Sequence, residues 1–254
     1  ANMADSLYAI KTLVYDEQKL SMADLHDALA NNFGKLHTPE EAEEITKNLA
    51  KAFAADGVSL TEEQVRTMYQ TALTGGVPED KRLQYEAIRN MLEEVPKFGN
   101  DLPEVDAFAR DVAYTYTRPL QEFRNPRGGQ YQAGLYPVSA NVPLGAQTGA
   151  TPDGRYAGTP VADGVSPSAG RDTHGPTASA NSVSRLDHYI ASNGTLFNMK
   201  FHPSALAGRE GLANFVALVR SYFDQKGSHM QFNVVSRETL LDAQKHPDKY
   251  RSLV

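Results

Sequence analysis

His26, His37, His174, His188, His202, His229 and His246 are the side chains best suited to hold a metal or shuttle a proton. They form no HExxH pattern and no i, i+4 pair, so the sequence predicts no metal site. Asp187 and His188 are adjacent, and on a helix they would point apart and make poor joint ligands. The chain has no cysteine, which removes disulfides, thiolate metal sites, iron–sulfur ligation and thiol catalysis from it. Gly145, Gly149 and Gly154 make a glycine-rich stretch, but it lacks the lysine of a GxxxxGK[ST] loop and the spacing of GxGxxG. No GxSxG elbow offers a serine nucleophile. What remains is charge beside tight turns, at Asp153-Gly154-Arg155 and Arg171-Asp172, inside a turn-rich stretch from Asn125 to Asp187. Such a long stretch with little regular structure is unusual unless it forms a surface of its own. It reads either as a rigid structural loop locked by carboxylates and backbone amides, or as a loop lining a buried pocket.

The elements that must carry this stretch divide the chain. Residues 1–124 hold 13 Lys+Arg against 22 Asp+Glu, and residues 125–254 hold 12 against 9. The window 125–180 contains 10 of the 19 glycines and 7 of the 14 prolines, so the first half reads as a helical layer and the middle as structured turns. Leu7, Ile10, Leu13 and Val14 recur at helical spacing, and Ser21 with Asp24 opens a helix through Leu25, Ala28 and Leu29. Thr38-Pro39-Glu40-Glu41 predicts a capped start for a helix burying Ala42, Ile45, Leu49, Ala52 and Phe53. Thr61-Glu62-Glu63-Gln64 is a capping box, and Gly75-Gly76 stops the helix it opens. Further helices are predicted from Pro78 to about Val95 and from Pro103 to about Phe123. The acids on first turns and outward faces read as solvated helix surface.

Beyond residue 125 the pattern mixes types. Gln130–Asn141 reads as extended, Thr177–Leu186 as a short helix capped by Thr177, and Thr195–Phe201 as a strand. Glu210–Gln225 is amphipathic and helical, Gly227 ends it, His229–Val235 alternates as a strand, and Ser236 caps a last helix. Strand–helix alternation over 125–254, on a helical layer over 1–124, predicts an α/β fold. With 254 residues and a net charge of −6, the chain offers no electrostatic footing for nucleic acid. No apolar run approaches the ~20 residues that cross a bilayer.

Long strings of residues are specific. Asn125-Pro126-Arg127-Gly128-Gly129, the run from Ala133 through Tyr136, Asn141 and Gly145, and Gly149-Ala150-Thr151-Pro152-Asp153-Gly154-Arg155 resemble the glycyl radical enzymes. Thr159–Pro167, Gly175-Pro176-Thr177, Ser182–Asp187, Lys200–Leu206 and Phe223–Gly227 extend the resemblance, which covers essentially residues 1–254. The branch it is similar to holds choline trimethylamine-lyase, the B12-independent glycerol and propanediol dehydratases and isethionate sulfite-lyase. Pyruvate formate-lyase is a more distant relative. The resemblance implies an α/β barrel of ten strands in two half-barrels, wrapped by helices, of which this chain supplies half-barrel strands and many helices.

It also implies a cysteine that becomes a thiyl radical and a glycine loop, Arg-Val-Ala-Gly-Tyr, that stores the radical. Neither string occurs in the chain, which therefore looks like an interior-to-C-terminal fragment holding no catalytic residue of its own and inactive alone. The implied substrate is a small hydroxylated molecule that loses a leaving group, choline first and a diol second. A pyruvate formate-lyase-type acyltransferase or isethionate sulfite-lyase fragment is the alternative, and a non-catalytic structural or interaction module is another. Positions matching Tyr136 and Val138 contribute to the substrate pocket in dehydratase-like members, and Gln132 shares their face of the zigzag. Tyr136 would bond a hydroxyl or pack on a cationic head group, and Val138 would shape the wall. No basic residue accompanies them, which counts against a sulfonate. The resemblance further implies no bound metal or other cofactor beyond the parent's glycyl radical, a radical S-adenosylmethionine activating enzyme as partner, a homodimeric parent, and a cytoplasmic setting or a bacterial microcompartment.

Overall fold

The computed structural model of the chain describes residues 1–55, 57–136 and 140–253. It divides into two compact units that interleave in sequence. One comprises Ser6–Val95 with Pro143–Pro160, the other Ala1–Asp5, Pro96–Val142 and Val161–Val254.

The first unit is helical, and its helix starts follow the sequence signals. Helix α1 (Asn2–Ile10), whose first residues belong to the second unit, runs into a π-helical turn, Lys11–Asp16, that buries Leu13. Leu7, predicted to face a core, is instead exposed, and Tyr8 and Ala9 are buried. Helix α2 (Met22–Ala30) is capped by Ser21, whose Oγ accepts the Asp24 amide at 3.0 Å. At the start of α3 (Pro39–Ala55), Thr38 Oγ1 accepts the Glu41 amide at 3.2 Å and Glu41 returns a carboxylate oxygen to the Thr38 amide at 2.8 Å. Thr61 and Gln64 make the same reciprocal pair for α4 (Glu62–Thr74), which stops at Gly75 with φ +61°. Only glycine adopts that left-handed turn at little cost.

Helices α3 and α4 pack on each other. Of the apolar stripe predicted for α3, Ala42 is buried while Leu49 and Phe53 are largely exposed. Helix α5 (Glu79–Glu94) follows Pro78, buries Tyr85, Ile88 and Leu92, and meets α2 through a hydrogen bond from the Tyr85 hydroxyl to Asp27 at 2.8 Å. Burial raises the Tyr85 phenol to about 12, with the Asp27 carboxylate adding to the shift.

The second unit mixes helices with short parallel strand pairs. Helix α6 (Pro103–Leu120) ends three residues before the predicted Phe123, one residue after Pro119. The turn-rich stretch holds strand β1 (Gly134–Leu135) and helix α7 (Asn141–Ala146), the latter shared between the units. Helix α8 (Pro176–Ser184) is almost wholly buried through the small residues Ala178, Ser179, Ala180, Ser182 and Val183. Its N-cap is Gly175 at φ +87°, not Thr177 as the sequence suggested. Pro176 takes the first helical position because its missing N–H is an orphan there anyway, which places the cap one residue before it.

Strand β2 (Gly194–Thr195) pairs with β1, and β3 (Asn198–Phe201) pairs with β4 (Gln231–Val234), both in parallel. Helix α9 (Gly208–Asp224) lies between β3 and β4 in the chain, and α10 (Arg237–Lys245) begins at the cap supplied by Ser236, which accepts the Thr239 amide at 3.1 Å. A parallel pair needs such a crossover helix, so the α/β expectation holds. Phe215 meets Phe201 and Phe232 edge to face, with centroids 5.8 and 4.6 Å apart, and Phe201 tilts against Phe232 at 5.9 Å, where α9 covers the β3–β4 pair. Asp106 on α6 is fully buried and bridged by Arg185, whose other nitrogen lies 2.6 Å from Asp101. Burial pushes the Asp106 carboxyl up, while Ser182 and Arg185 hold it down.

Candidate substrate-binding surface

The predicted site residues lie at the β1–β2 pair. The register sets Gly134 opposite Gly194 and Leu135 opposite Thr195. The Asn193 amide donates to the Ala133 carbonyl at 2.9 Å and extends the pairing by one residue. Neither glycine has a Cβ, and the Tyr136 ring takes up that space at Gly134 and lies in contact range of it at Gly194. A Cβ on Gly134 would lie 2.7 Å from Tyr136 Cε1, and one on Gly194 would lie 3.4 Å from it. The Tyr136 hydroxyl accepts a hydrogen bond from Asn193 Nδ2 at 3.1 Å, and the ring remains 40% exposed. Gln132 accepts a hydrogen bond from the Ser192 hydroxyl. The structure thus brings Gln132 and Tyr136 to the same short segment, Ser192–Asn193. Gln132 reaches it from outside the two-residue strand rather than from a longer ladder. Val138 lies outside the described residues.

Behind this exposed surface His188 and Thr195 are buried. Thr195 Oγ1 bonds His188 Nδ1 at 2.8 Å and Ser228 Oγ at 2.6 Å, and His188 Nε2 donates to the Val183 carbonyl at 2.9 Å. The Val183 carbonyl can only accept, so Nε2 carries a proton, and in the neutral ring Nδ1 accepts from the threonine hydroxyl. Burial holds the His188 imidazole below its ordinary range, with the Val183 carbonyl and Asp187 opposing the shift. Asp187 and His188 follow the helix predicted over Thr177–Leu186. Helix α8 stops at Ser184, and the two residues sit in the turns beyond it, where Asp187 accepts the Tyr114 hydroxyl at 3.1 Å. Ser192, Asn193 and the His188–Thr195–Ser228 chain were not singled out from the sequence. The one local signal was the Asn193-Gly194 dipeptide, a turn mark.

The Asp153-Gly154-Arg155 turn, in the helical unit, behaves differently. Arg155 is nearly buried and its guanidinium donates to the carbonyls of Thr159 at 2.5 Å, Tyr156 at 3.1 Å and Thr148 at 3.3 Å, and to that of Gly149. Gly154, at φ +89°, offers its carbonyl to Arg89 Nε at 2.9 Å. Of the two readings left open for this part of the stretch, the structure gives the locked loop. Arg171 and Asp172 are also tied to neighbours, through Asn100 Nδ2 on the Arg171 carbonyl at 2.8 Å and Ser179 Oγ on Asp172 at 3.4 Å.

Among the described residues no three His, Asp or Glu side chains gather as metal ligands, and no helix is long and apolar enough to cross a membrane. At the β1–β2 surface the polar side chains are uncharged. They suit a small neutral ligand rich in hydroxyls.

Known proteins are similar to the chain in sequence and in fold. A family model described as pyruvate formate lyase-like matches residues 1–145, and one described as glycine radical matches residues 161–254. The probable dehydratase YbiW of Escherichia coli (strain K12) is 38% identical across 100% of the chain. A solved structure concerned with 1,2-propanediol dehydration in Roseburia inulinivorans is 57% identical over 98% of the chain, with a TM-score of 0.80. The glycerol-bound form of the B12-independent glycerol dehydratase from Clostridium butyricum is 47% identical over 99%, with a TM-score of 0.75. The chain spans 26% of the length of each of these three proteins.

Proposed function

Because the chain belongs to the pyruvate formate lyase-like glycyl radical enzymes, and its fold is part of their α/β barrel, we propose that it is the substrate-holding portion of a dehydratase acting on a small vicinal diol. The reaction removes the elements of water, so that propane-1,2-diol becomes propanal. In such an enzyme the glycyl radical supplies hydrogen-atom abstraction by way of a cysteine. The residues described here do not fit that part of the task, since the chain has no cysteine. Its own residues bind and orient. Tyr136, Gln132, Ser192 and Asn193 present hydroxyl and amide groups that match a diol's alternating donors and acceptors.

The observation that carries this reading is the Tyr136 hydroxyl held at the β1–β2 surface with no charged group in its set. Similarity to a propanediol and a glycerol dehydration structure supports a diol ahead of choline. Choline would use the open face of the same ring for its ammonium. A sulfonate finds no cation among these four side chains. An activating enzyme of the radical S-adenosylmethionine type and a second copy of the whole protein are the proposed partners.

The test is a substrate panel. The whole gene product, activated anaerobically, is given propane-1,2-diol, choline and isethionate in separate reactions. Propanal from the diol, with no trimethylamine and no sulfite from the others, is expected. Trimethylamine or sulfite as the dominant product would overturn the reading.

A further inference from the structure

The polarity of the hydrogen bond between Asn193 and Tyr136 has a consequence for selectivity. A tyrosine hydroxyl donates one hydrogen bond and accepts others, whereas an amide nitrogen only donates. Asn193 Nδ2 donates to the Tyr136 oxygen at 3.1 Å, so the phenolic proton is directed elsewhere. Both partners are held in place. The Asn193 main chain is pinned by its amide bond to Ala133 at 2.9 Å, and the Tyr136 ring rests against Gly134 and Gly194, which face each other across the strand pair. Beneath them Thr195 ties β2 to His188 and Ser228. Tyr136 is 40% exposed and Asn193 is itself exposed, so the pair is open to a ligand.

We infer that Asn193 is a positioning residue that turns the Tyr136 phenol into a hydrogen-bond donor toward a neutral hydroxyl oxygen of the substrate. This rests on the diol reading and adds the group that sets its selectivity. Replacing the amide by a carboxylate of the same shape reverses the polarity, because the carboxylate takes the phenolic proton for itself. The donor that the ligand requires is then lost with little change in packing.

A double-mutant cycle on the whole gene product in its unactivated form tests this, with propane-1,2-diol binding read by titration calorimetry. Asn193→Asp and Tyr136→Phe should each weaken binding by about 5- to 10-fold, the worth of one hydrogen bond. The double variant should be no weaker than either alone. Additive losses, or undiminished binding by Asn193→Asp, would overturn the inference. A second readout is independent of any ligand, since the side-chain amide resonances of Asn193 should move in Tyr136→Phe. If they do not, the positioning role fails and the diol reading stands. If they move while the unsubstituted protein binds no diol, the diol reading fails and the substrate assignment falls with it.

Discussion

The loop around Arg155 and the surface around Tyr136 are both glycine-rich turns with polar side chains, yet they dispose of their hydrogen bonds in opposite ways. Arg155 is nearly buried and spends its guanidinium on four carbonyls of its own loop. Tyr136, Gln132 and Asn193 are exposed, and each is engaged by one neighbour while keeping hydrogen-bonding capacity toward solvent. A buried cation must be fully satisfied, since leaving it partly unpaired costs several kcal/mol. Its network therefore marks scaffold. A set of oriented but unsaturated polar groups on a supported strand pair marks a place to bind.

The largest effect should come from breaking the scaffold. Arg155→Lys keeps the charge but loses the planar fork, and it should lower stability by ~2–3 kcal/mol in urea unfolding. Tyr136→Phe should stay within ~0.5 kcal/mol of the parent. Equal losses at the two positions would erase the distinction.

One substitution made in both places gives the next contrast. A Cβ on Gly145 would collide with the Thr159 carbonyl and come 2.5 Å from Pro160 Cα, both backbone atoms that cannot swing aside. Gly145→Ala should cost ~1–3 kcal/mol. A Cβ on Gly134 meets the Tyr136 ring and an Asn193 side-chain nitrogen, and these can rotate away. Gly134→Ala should leave the melting temperature nearly unchanged and weaken diol binding. A large stability loss for Gly134→Ala would show that the surface is also scaffold.

The smallest effect is pH-linked. Burial holds the His188 imidazole below its ordinary range, so the folded state takes up its proton at lower pH than the unfolded chain. No linkage arises where both states are neutral. As pH falls below the unfolded value of about 6.5, the unfolded chain gains the proton first and stability declines until the folded pKa is passed. His188→Gln should flatten the melting temperature between pH 7.5 and 5 relative to the parent. An unchanged slope would remove His188 from the support beneath β2.

Much of the helical framework was legible because its signals are local. The caps at Ser21, Thr38, Thr61 and Ser236 each bind an amide three residues away, within one turn of chain. The cap of α8 shifted because Pro176 at the first helical position sets it more tightly than the neighbouring hydroxyl does. The site was legible only by halves. Resemblance pointed to Tyr136 and strand alternation to Gln132, but their partners Ser192 and Asn193 lie 60 and 57 residues away, beyond any local pattern. The Arg155 loop stayed open between two readings because its lock depends on which carbonyls converge, and periodicity carries no information on that.

The most direct measurement is a crystal structure of the whole gene product with propane-1,2-diol bound. A diol oxygen within about 2.6–3.0 Å of the Tyr136 hydroxyl, with Asn193 still donating to that hydroxyl, is the predicted result. A diol held by other side chains with Tyr136 out of reach would contradict the assignment of this surface.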